Sequence, residues 1–138
     1  MKISARVDNS EGKHHITLTT NDNPHSIIIP PKSSGLGSSV NGGELLFLAL
    51  ATCYCNDIYR EAAKRNIQVE KVEVEVSGDF GAEGESAKNV SYSAKVHAKG
   101  TEEEIRALMQ HTDTVAEIQN TLRAGVNVKL KEIEIKVS

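Results

Sequence analysis

The longest apolar run of this chain, residues 45–51, lies inside a helical pattern, and Cys53 follows it after a single threonine. The pattern extends from about residue 43 to residue 65, apolar all round in its first turns and amphipathic later. It predicts one long central helix whose first half is buried and whose second half turns toward solvent. The apolar run is far shorter than the roughly 20 residues that cross a bilayer, so we expect no membrane span.

Short segments of alternating apolar and polar residues flank this helix, and such alternation is typical of half-buried strands. Three precede the helix and three follow it, in residues 2–7, 15–20, 26–29, 69–76, 90–98 and 126–137. The stretch of residues 30–43 is rich in Gly, Ser and Pro, which predicts a loop leading into the helix.

Two shorter helices are predicted before the last strand. Thr101 with Glu104 fits a capping box, Thr114 with Glu117 fits another, and the second helix should end near Gly125. The predicted order is therefore three strands, a long helix, a hairpin, two short helices and a strand. We expect an α+β fold with antiparallel sheets on a central helix, in one domain over residues 1–138.

Composition excludes several function classes. Sixteen Lys and Arg against nineteen Asp and Glu give no excess of positive charge for nucleic acid. The five histidines and two cysteines show no metal-ligand spacing, and the glycine-rich loop lacks the ending of a phosphate loop, so we expect no metal and no cofactor. The N-terminus has no signal-peptide core, and two cysteines two residues apart favour free thiols in a reducing, cytoplasmic compartment.

The two cysteines fall on different faces of the predicted helix. Cys55 shares a stripe of small and apolar side chains, and we interpret it as a core residue. Cys53 shares a face that turns polar just beyond it, with Asp57 and Arg60, so a buried thiol and a reactive one both remain open. Because the two side chains point about 160° apart, a disulfide between them is disfavoured.

A reactive Cys53 would need a nearby cation or helix N-terminus to stabilise its thiolate. Arg60 is two turns away along the helix, and Asp57 has the opposite effect. Arg6, the only arginine before the helix, is therefore a candidate, either within the chain or across a dimer interface. A solvated charge at a strand edge is the alternative interpretation of Arg6.

Residues 41–53, NGGELLFLALATC, with an acidic residue four positions later and a basic helix end, resemble the first cysteine motif of the OsmC/Ohr family, the osmotically inducible and organic hydroperoxide resistance proteins. The predicted element order is also similar to that family's fold. The resemblance implies an intertwined homodimer in which the first cysteine attacks a peroxide, a role that falls on Cys53. It also implies that Glu44, at the family's acidic position, binds an arginine elsewhere.

The chain departs from the family pattern where the second cysteine is expected. The corresponding stretch, AEIQNTL, has Ala116 at that position, so a resolving thiol is absent. Gly43 stands where the organic hydroperoxide branch has a glutamate, and Gly42 replaces a proline.

Three functions stay open. The first is a thiol-dependent hydroperoxide reductase in which Cys53 becomes a sulfenic acid and an external thiol reduces it. The second keeps the homodimeric fold without turnover, as a module that senses redox state or binds a small apolar ligand. The third is a purely structural dimer.

Overall fold

The computed structural model describes all 138 residues, and contacts divide the chain into two units, Met1–Leu46 and Phe47–Ser138. The order of strands and helices up to residue 124 follows the predicted one, and the fold is α+β with antiparallel sheets. None of the helices is both long and apolar enough to cross a membrane. The organisation as one domain over residues 1–138 stays a prediction.

The first unit contains a three-stranded antiparallel sheet of β1 (Ile3–Ser10), β2 (Lys13–Thr20) and β3 (Asn23–Ile27). Both connections are two-residue turns with left-handed backbone, which tight hairpins favour: Gly12 has φ +70° in the first turn, and Asn21 and Asp22 have φ +47° and +67° in the second. Every residue of β1 and β3 is exposed, and Ile16 of β2 is the one buried side chain of this sheet.

Helix α1 (Gly42–Lys64) begins at a reciprocal cap. The Asn41 side chain accepts from the backbone N–H of Glu44 at 2.8 Å, and the Glu44 carboxylate accepts from the backbone N–H of Asn41 at 3.0 Å. These bonds satisfy two amide groups that a helix start otherwise leaves unpaired. Glu44 therefore has a local structural role at the start of α1.

The buried face of α1 differs from the predicted one. No residue before Leu50 is buried, so the expectation of a buried first half is wrong. Leu48, placed on the core stripe, is exposed, and Cys55 on the same stripe is half-buried. In the apolar first turns Leu45, Leu46 and Phe47 are only half-buried, with the ring centroids of Phe47 and Phe80 5.8 Å apart. The later turns lie against the second unit's hairpin and helices and bury these residues: Leu50, Tyr54, Asp57, Ile58, Glu61 and Ala62.

The second unit pairs the last turns of α1 with a hairpin and two helices. The long strands β4 (Val69–Asp79) and β5 (Lys88–Ala98) form the antiparallel pair that their alternation predicts. Tyr54 of α1 meets Tyr92 of β5 edge to face, with ring centroids 5.0 Å apart. The Tyr54 hydroxyl donates to the Met109 carbonyl at 2.8 Å, which ties α1 to the next helix.

Helix α2 (Glu102–Val115) begins at the capping box that the sequence predicts, with Thr101 and Glu104 bonded reciprocally. The second predicted capping box is wrong. Helix α2 continues through Thr114, and α3 (Glu117–Ala124) begins after Ala116, which has no side chain to cap it. Thr114 instead donates to the carbonyl of His111, and Gly125 ends α3 with φ +73°.

The predicted last strand is absent. Residues 125–138 form no strand, and all their side chains are exposed, including every apolar one in the alternating series. An extended segment becomes a strand only when a neighbour accepts its backbone hydrogen bonds, and no other segment of the chain lies beside it. The prediction of a final strand over residues 126–137 is therefore wrong for this chain, although its apolar residues do alternate.

Leu108 of α2 is the center of the buried cluster formed with Tyr54, Ile58 and Ala62 of α1, and it is fully buried. We predict that Leu108→Ala lowers the free energy of unfolding by about 2–5 kcal/mol, because truncation removes buried methyl groups and leaves a cavity. Urea unfolding followed by circular dichroism measures the change. The matched control is Leu36→Ala, since Leu36 is exposed; equal losses in both variants would contradict the proposed core.

Candidate functional site

Cys53 lies half-buried on α1, and its sulfur faces the beginning of α3. The thiol lies 3.6 Å from Asp57 Oδ2, one turn along α1, and 3.8 Å from Glu117 Oε2, in the first turn of α3. Cys55 is also a free, half-buried thiol, but it lines a separate depression beside Val74 of β4. The two cysteines therefore belong to different surroundings, as their helical phase predicts.

Arg60 joins the two carboxylates that contact the thiol. Its Nη1 atom lies 3.1 Å from Asp57 Oδ1 and 2.7 Å from Glu117 Oε1. Each carboxylate thus turns one oxygen toward the sulfur of Cys53 and the other toward the guanidinium. These four residues form a closed ring of polar contacts, which we call the Cys53 cluster: Cys53, Asp57, Arg60 and Glu117.

The start of α3 supplies a further contact to the sulfur. Ala116 is fully buried and offers no cap, so the first amide groups of α3 need other acceptors. The backbone N–H of Ile118 bonds to the sulfur of Cys53, and the Glu117 carboxylate accepts from its own backbone N–H. Cys53 therefore lies at a helix N-terminus, where a thiolate is favoured.

Opposing influences act on the thiol, and those that favour the neutral form prevail. Burial is the largest influence raising the pKa of Cys53, and the charges of Asp57 and Glu117 raise it further. The bond from the Ile118 amide lowers the pKa but does not compensate. The neutral thiol consequently predominates at neutral pH, and it can donate to either carboxylate.

The two carboxylates of the cluster have different surroundings. Burial and the neighbouring Glu117 raise the pKa of Asp57, against the effect of Arg60, and its side chain is only 9% exposed. The pKa of Glu117 is lowered by its own backbone amide, by Asp57 and by Arg60, and its side chain is 62% exposed. A shared proton therefore favours Asp57, whereas Glu117 is the carboxylate that faces solvent.

Glu61 binds Arg60 at Nε, whereas Asp57 and Glu117 bind it at Nη1. The buried Glu61 carboxylate accepts from Arg60 Nε at 2.9 Å and from Lys64 Nζ at 2.9 Å, and it meets His111 Nε2 at 3.0 Å. The contacts with Lys64, Arg60 and His111 lower the pKa of Glu61 to about 2 despite its burial. Glu61 therefore stays ionised and anchors the guanidinium that closes the Cys53 cluster.

Sequence reasoning nominated Cys53, Arg6 and Glu44 as site residues. The structure gives Arg6 an exposed ion pair with Asp8 at 3.8 Å in the first unit, and Glu44 caps α1. Within the second unit, Arg60 and Glu117 lie around the Cys53 thiol, and the site roles of Arg6 and Glu44 stay predictions. Arg60 shares a helical face with Cys53, which is a usable sequence signal, whereas Glu117 is near only because the α2–α3 junction folds back onto α1.

The donor atoms of Cys53, Asp57 and Glu117 lie within 4.8 Å of one another, a separation that a metal ion could bridge. Arg60, however, already bonds to both carboxylates and supplies the positive charge that such a set attracts. The expectation that the protein holds no metal stays a prediction.

Solved structures of OsmC-like proteins share this fold. An OsmC-like protein from Mycoplasma pneumoniae matches with a TM-score of 0.60 at 17% identity, over 87% of each chain. An organic hydroperoxide resistance protein from Legionella pneumophila matches with a TM-score of 0.57 at 22% identity, over 94% of each chain. Bacillus subtilis OhrB, also an organic hydroperoxide resistance protein, gives 0.51 at 22% identity, over 94% of this chain and 95% of its own. The fold is thus that of the OsmC-like proteins.

The family model described as OsmC-like protein matches residues 35–131, which contain α1, the hairpin and both short helices. The chain belongs to the OsmC-like family, which confirms the family suggested by the motif around Cys53. No curated protein sequence matches the chain.

We predict that Glu61→Gln lowers the melting temperature at neutral pH by several degrees, since about 1 kcal/mol corresponds to roughly 2–8 °C in domains of this size range. The folded-state pKa of Glu61, about 2, lies below its ordinary 4.5. Its stabilisation is therefore present above about pH 4.5 and lost as pH falls toward about 2.

Thermal melts of both proteins from neutral pH to about pH 3 test this, and the difference should shrink on acidification. Glu83→Gln is the control, because Glu83 is an exposed turn residue. A difference that grows at acid pH would contradict the assignment.

Proposed function

We propose that the protein is a thiol-dependent reductase of organic hydroperoxides in which Cys53 is the reacting thiol. Membership of the OsmC-like family supports this proposal, and so does the fold shared with organic hydroperoxide resistance proteins. The single observation that carries it is the position of the Cys53 sulfur, at the N-terminus of α3 and one carboxylate away from the Arg60 guanidinium.

In the proposed reaction the sulfur of Cys53 attacks the terminal oxygen of the hydroperoxide. An S–O bond forms, the O–O bond breaks, and the products are a cysteine sulfenic acid and an alcohol. The sulfur is oxidised by two electrons, and the peroxide is reduced. The Ile118 amide stabilises the thiolate before attack, and Arg60 neutralises the two carboxylates that oppose ionisation of the thiol.

Regeneration of the thiol requires an external reductant in this proposal. Ala116 stands where the family pattern has its second cysteine, and Cys55 lies on a different face of α1 beside Val74. Two equivalents of a small or protein thiol would return the sulfenic acid to the thiol, releasing water and forming a disulfide between them. The cycle uses one cysteine of this chain.

In an alternative function the protein does not turn over peroxide: either Cys53 acts as a redox sensor, or the protein binds a small apolar ligand. The observation that favours it is the raised pKa of Cys53, because a neutral thiol attacks peroxides slowly. A sensor needs only slow, reversible oxidation, whereas a turnover enzyme needs a fast first step. The rate of Cys53 oxidation distinguishes these two functions.

We also propose that the protein works as an intertwined homodimer. The sheet of β1–β3 buries only Ile16, and the apolar first turns of α1 have Leu48 exposed. Residues 126–137 extend without a neighbouring strand and expose alternating apolar side chains. A second copy would cover such faces and pair with such a segment. Two free thiols favour a cytoplasmic location.

The reductase proposal predicts that an organic hydroperoxide oxidises Cys53 faster than it oxidises free cysteine at the same pH. The rate should rise about tenfold per pH unit through neutral pH, since the thiolate fraction does so below a raised pKa. Stopped-flow mixing with tert-butyl hydroperoxide or hydrogen peroxide, followed by peptide mass spectrometry, measures each cysteine separately.

Cys55→Ser should leave this rate unchanged, and Cys53→Ser should abolish it. Oxidation of Cys53 no faster than free cysteine would rule out the reductase, and prior oxidation of Cys55 would show that the wrong thiol was assigned.

The dimer proposal predicts a mass near twice 15.0 kDa by light scattering at micromolar concentration. Ile135→Asp should shift the protein toward the monomer, because Ile135 belongs to the exposed apolar series of the tail. Lys136→Ala is the control, since it causes the same change of charge at the neighbouring position. A wild-type protein that is monomeric would contradict the proposal.

A further inference from the structure

We infer that Glu117 transfers the proton of this reaction, receiving it from the Cys53 thiol and delivering it to the departing alkoxide of the hydroperoxide. The inference rests on the reductase function proposed above and adds a proton-transfer residue to it. Glu117 is carried to the thiol by α3, at the residue after Ala116. In the Cys53 cluster both carboxylates contact the sulfur.

The geometry provides the first step. The Cys53 thiol lies 3.8 Å from Glu117 Oε2, and Sγ also lies 3.6 Å from Asp57 Oδ2, so the thiol proton has a carboxylate acceptor on either side. Arg60 bonds to the far oxygen of each carboxylate and stabilises the charged form. Proton transfer from sulfur to a carboxylate therefore occurs inside one hydrogen-bonded ring.

Exposure decides which carboxylate meets the substrate. Asp57 is enclosed by α1 and its neighbours, whereas the Glu117 side chain is 62% exposed at the mouth of the cluster. A hydroperoxide in solution can therefore reach Glu117, whereas Asp57 is enclosed. Asp57 is the carboxylate that a resting proton favours, so the ionised Glu117 is left as the acceptor of the thiol proton. Glu61, Lys64 and His111 are the other titratable groups behind Arg60.

In the proposed step the thiol proton moves to the Glu117 carboxylate, and the thiolate attacks the terminal oxygen of the hydroperoxide with its electron pair. The O–O bond breaks, and the alkoxide that leaves takes the proton from the Glu117 carboxylic acid to become the alcohol. The sulfenic acid keeps the hydrogen of the hydroperoxide, and Glu117 returns to its ionised state.

The inference separates two effects of one side chain. The negative charge of Glu117 disfavours the thiolate, so its removal should make Cys53 a better nucleophile. The same removal takes away the proton that an alkoxide needs to leave. A residue that only tunes the thiol would change every reaction of Cys53 in the same direction, whereas a proton donor affects only those with a strongly basic leaving group.

The test compares wild type with Glu117→Gln against three electrophiles at neutral pH: iodoacetamide, peracetic acid and tert-butyl hydroperoxide. We expect alkylation by iodoacetamide to become about 3- to 10-fold faster, because iodide leaves without a proton. Reaction with tert-butyl hydroperoxide should become at least about tenfold slower, which is less than the roughly 100-fold usual for loss of a general acid, since Asp57 remains. Peracetic acid, which releases a carboxylate, should follow iodoacetamide.

Glu103→Gln is the matched control, because Glu103 is an exposed glutamate in the first turn of α2, as Glu117 is in α3. It should leave all three rates unchanged. Melting curves verify folding, and acetic acid added to Glu117→Gln should restore part of the hydroperoxide rate.

An increase of all three rates in Glu117→Gln, or no change in any of them, would overturn the role of Glu117 and leave the reductase function standing. Failure of the wild type to react with tert-butyl hydroperoxide faster than free cysteine does, while iodoacetamide still labels Cys53, would instead overturn the reductase function and the inference with it.

Discussion

The guanidinium of Arg60 is the contact on which this part of the structure depends. Its Nε atom meets Glu61, and its Nη1 atom meets both Asp57 and Glu117, at distances between 2.7 and 3.1 Å. Asp57 and Glu61 lie on the buried face of α1, where an unpaired carboxylate would carry a large desolvation cost. One cation therefore makes two buried acids tolerable and holds the start of α3 against α1.

This arrangement also determines the chemistry available to Cys53. A thiol beside a free guanidinium would ionise readily, but here Arg60 is already shared among three carboxylates. The sulfur of Cys53 is in contact with the carboxylates of Asp57 and Glu117, whose charges raise the pKa of the thiol. Only the Ile118 amide lowers it. The same contacts that stabilise the α1–α3 junction raise the pKa of the thiol, so stability and nucleophilicity conflict in this cluster.

Much of the fold was predictable because it depends on local patterns. Strict alternation predicted the β4–β5 hairpin, and the Thr101–Glu104 pair predicted the start of α2. The predictions failed where the outcome depends on a distant neighbour. The apolar first turns of α1 are half-buried or exposed, and residues 126–137 have no strand beside them, because periodicity shows which face would be buried but not whether a neighbouring element covers it.

The site was predictable to a smaller extent for the same reason. Helical phase correctly separated Cys53 from Cys55 and placed Arg60 on the face of Cys53. Distance along the helix favoured Arg6 over Arg60 as the cation near Cys53. That distance neglects the length of the arginine side chain, which reaches back one turn to Asp57. Glu117 could not be found from spacing, since 64 residues separate it from Cys53 and only the break at Ala116 brings it close.

Ala116, which stands where the family pattern has its second cysteine, and Glu117, which follows it, both affect the surroundings of Cys53. A helix that begins at a buried alanine has unpaired amide groups, and the sulfur of Cys53 and the carboxylate of Glu117 accept from them. A second thiol at position 116 would compete for the same amides and would lie beside the same carboxylates. With alanine at position 116 that second thiol is absent, so in the proposed cycle a thiol from solution reduces the oxidised Cys53.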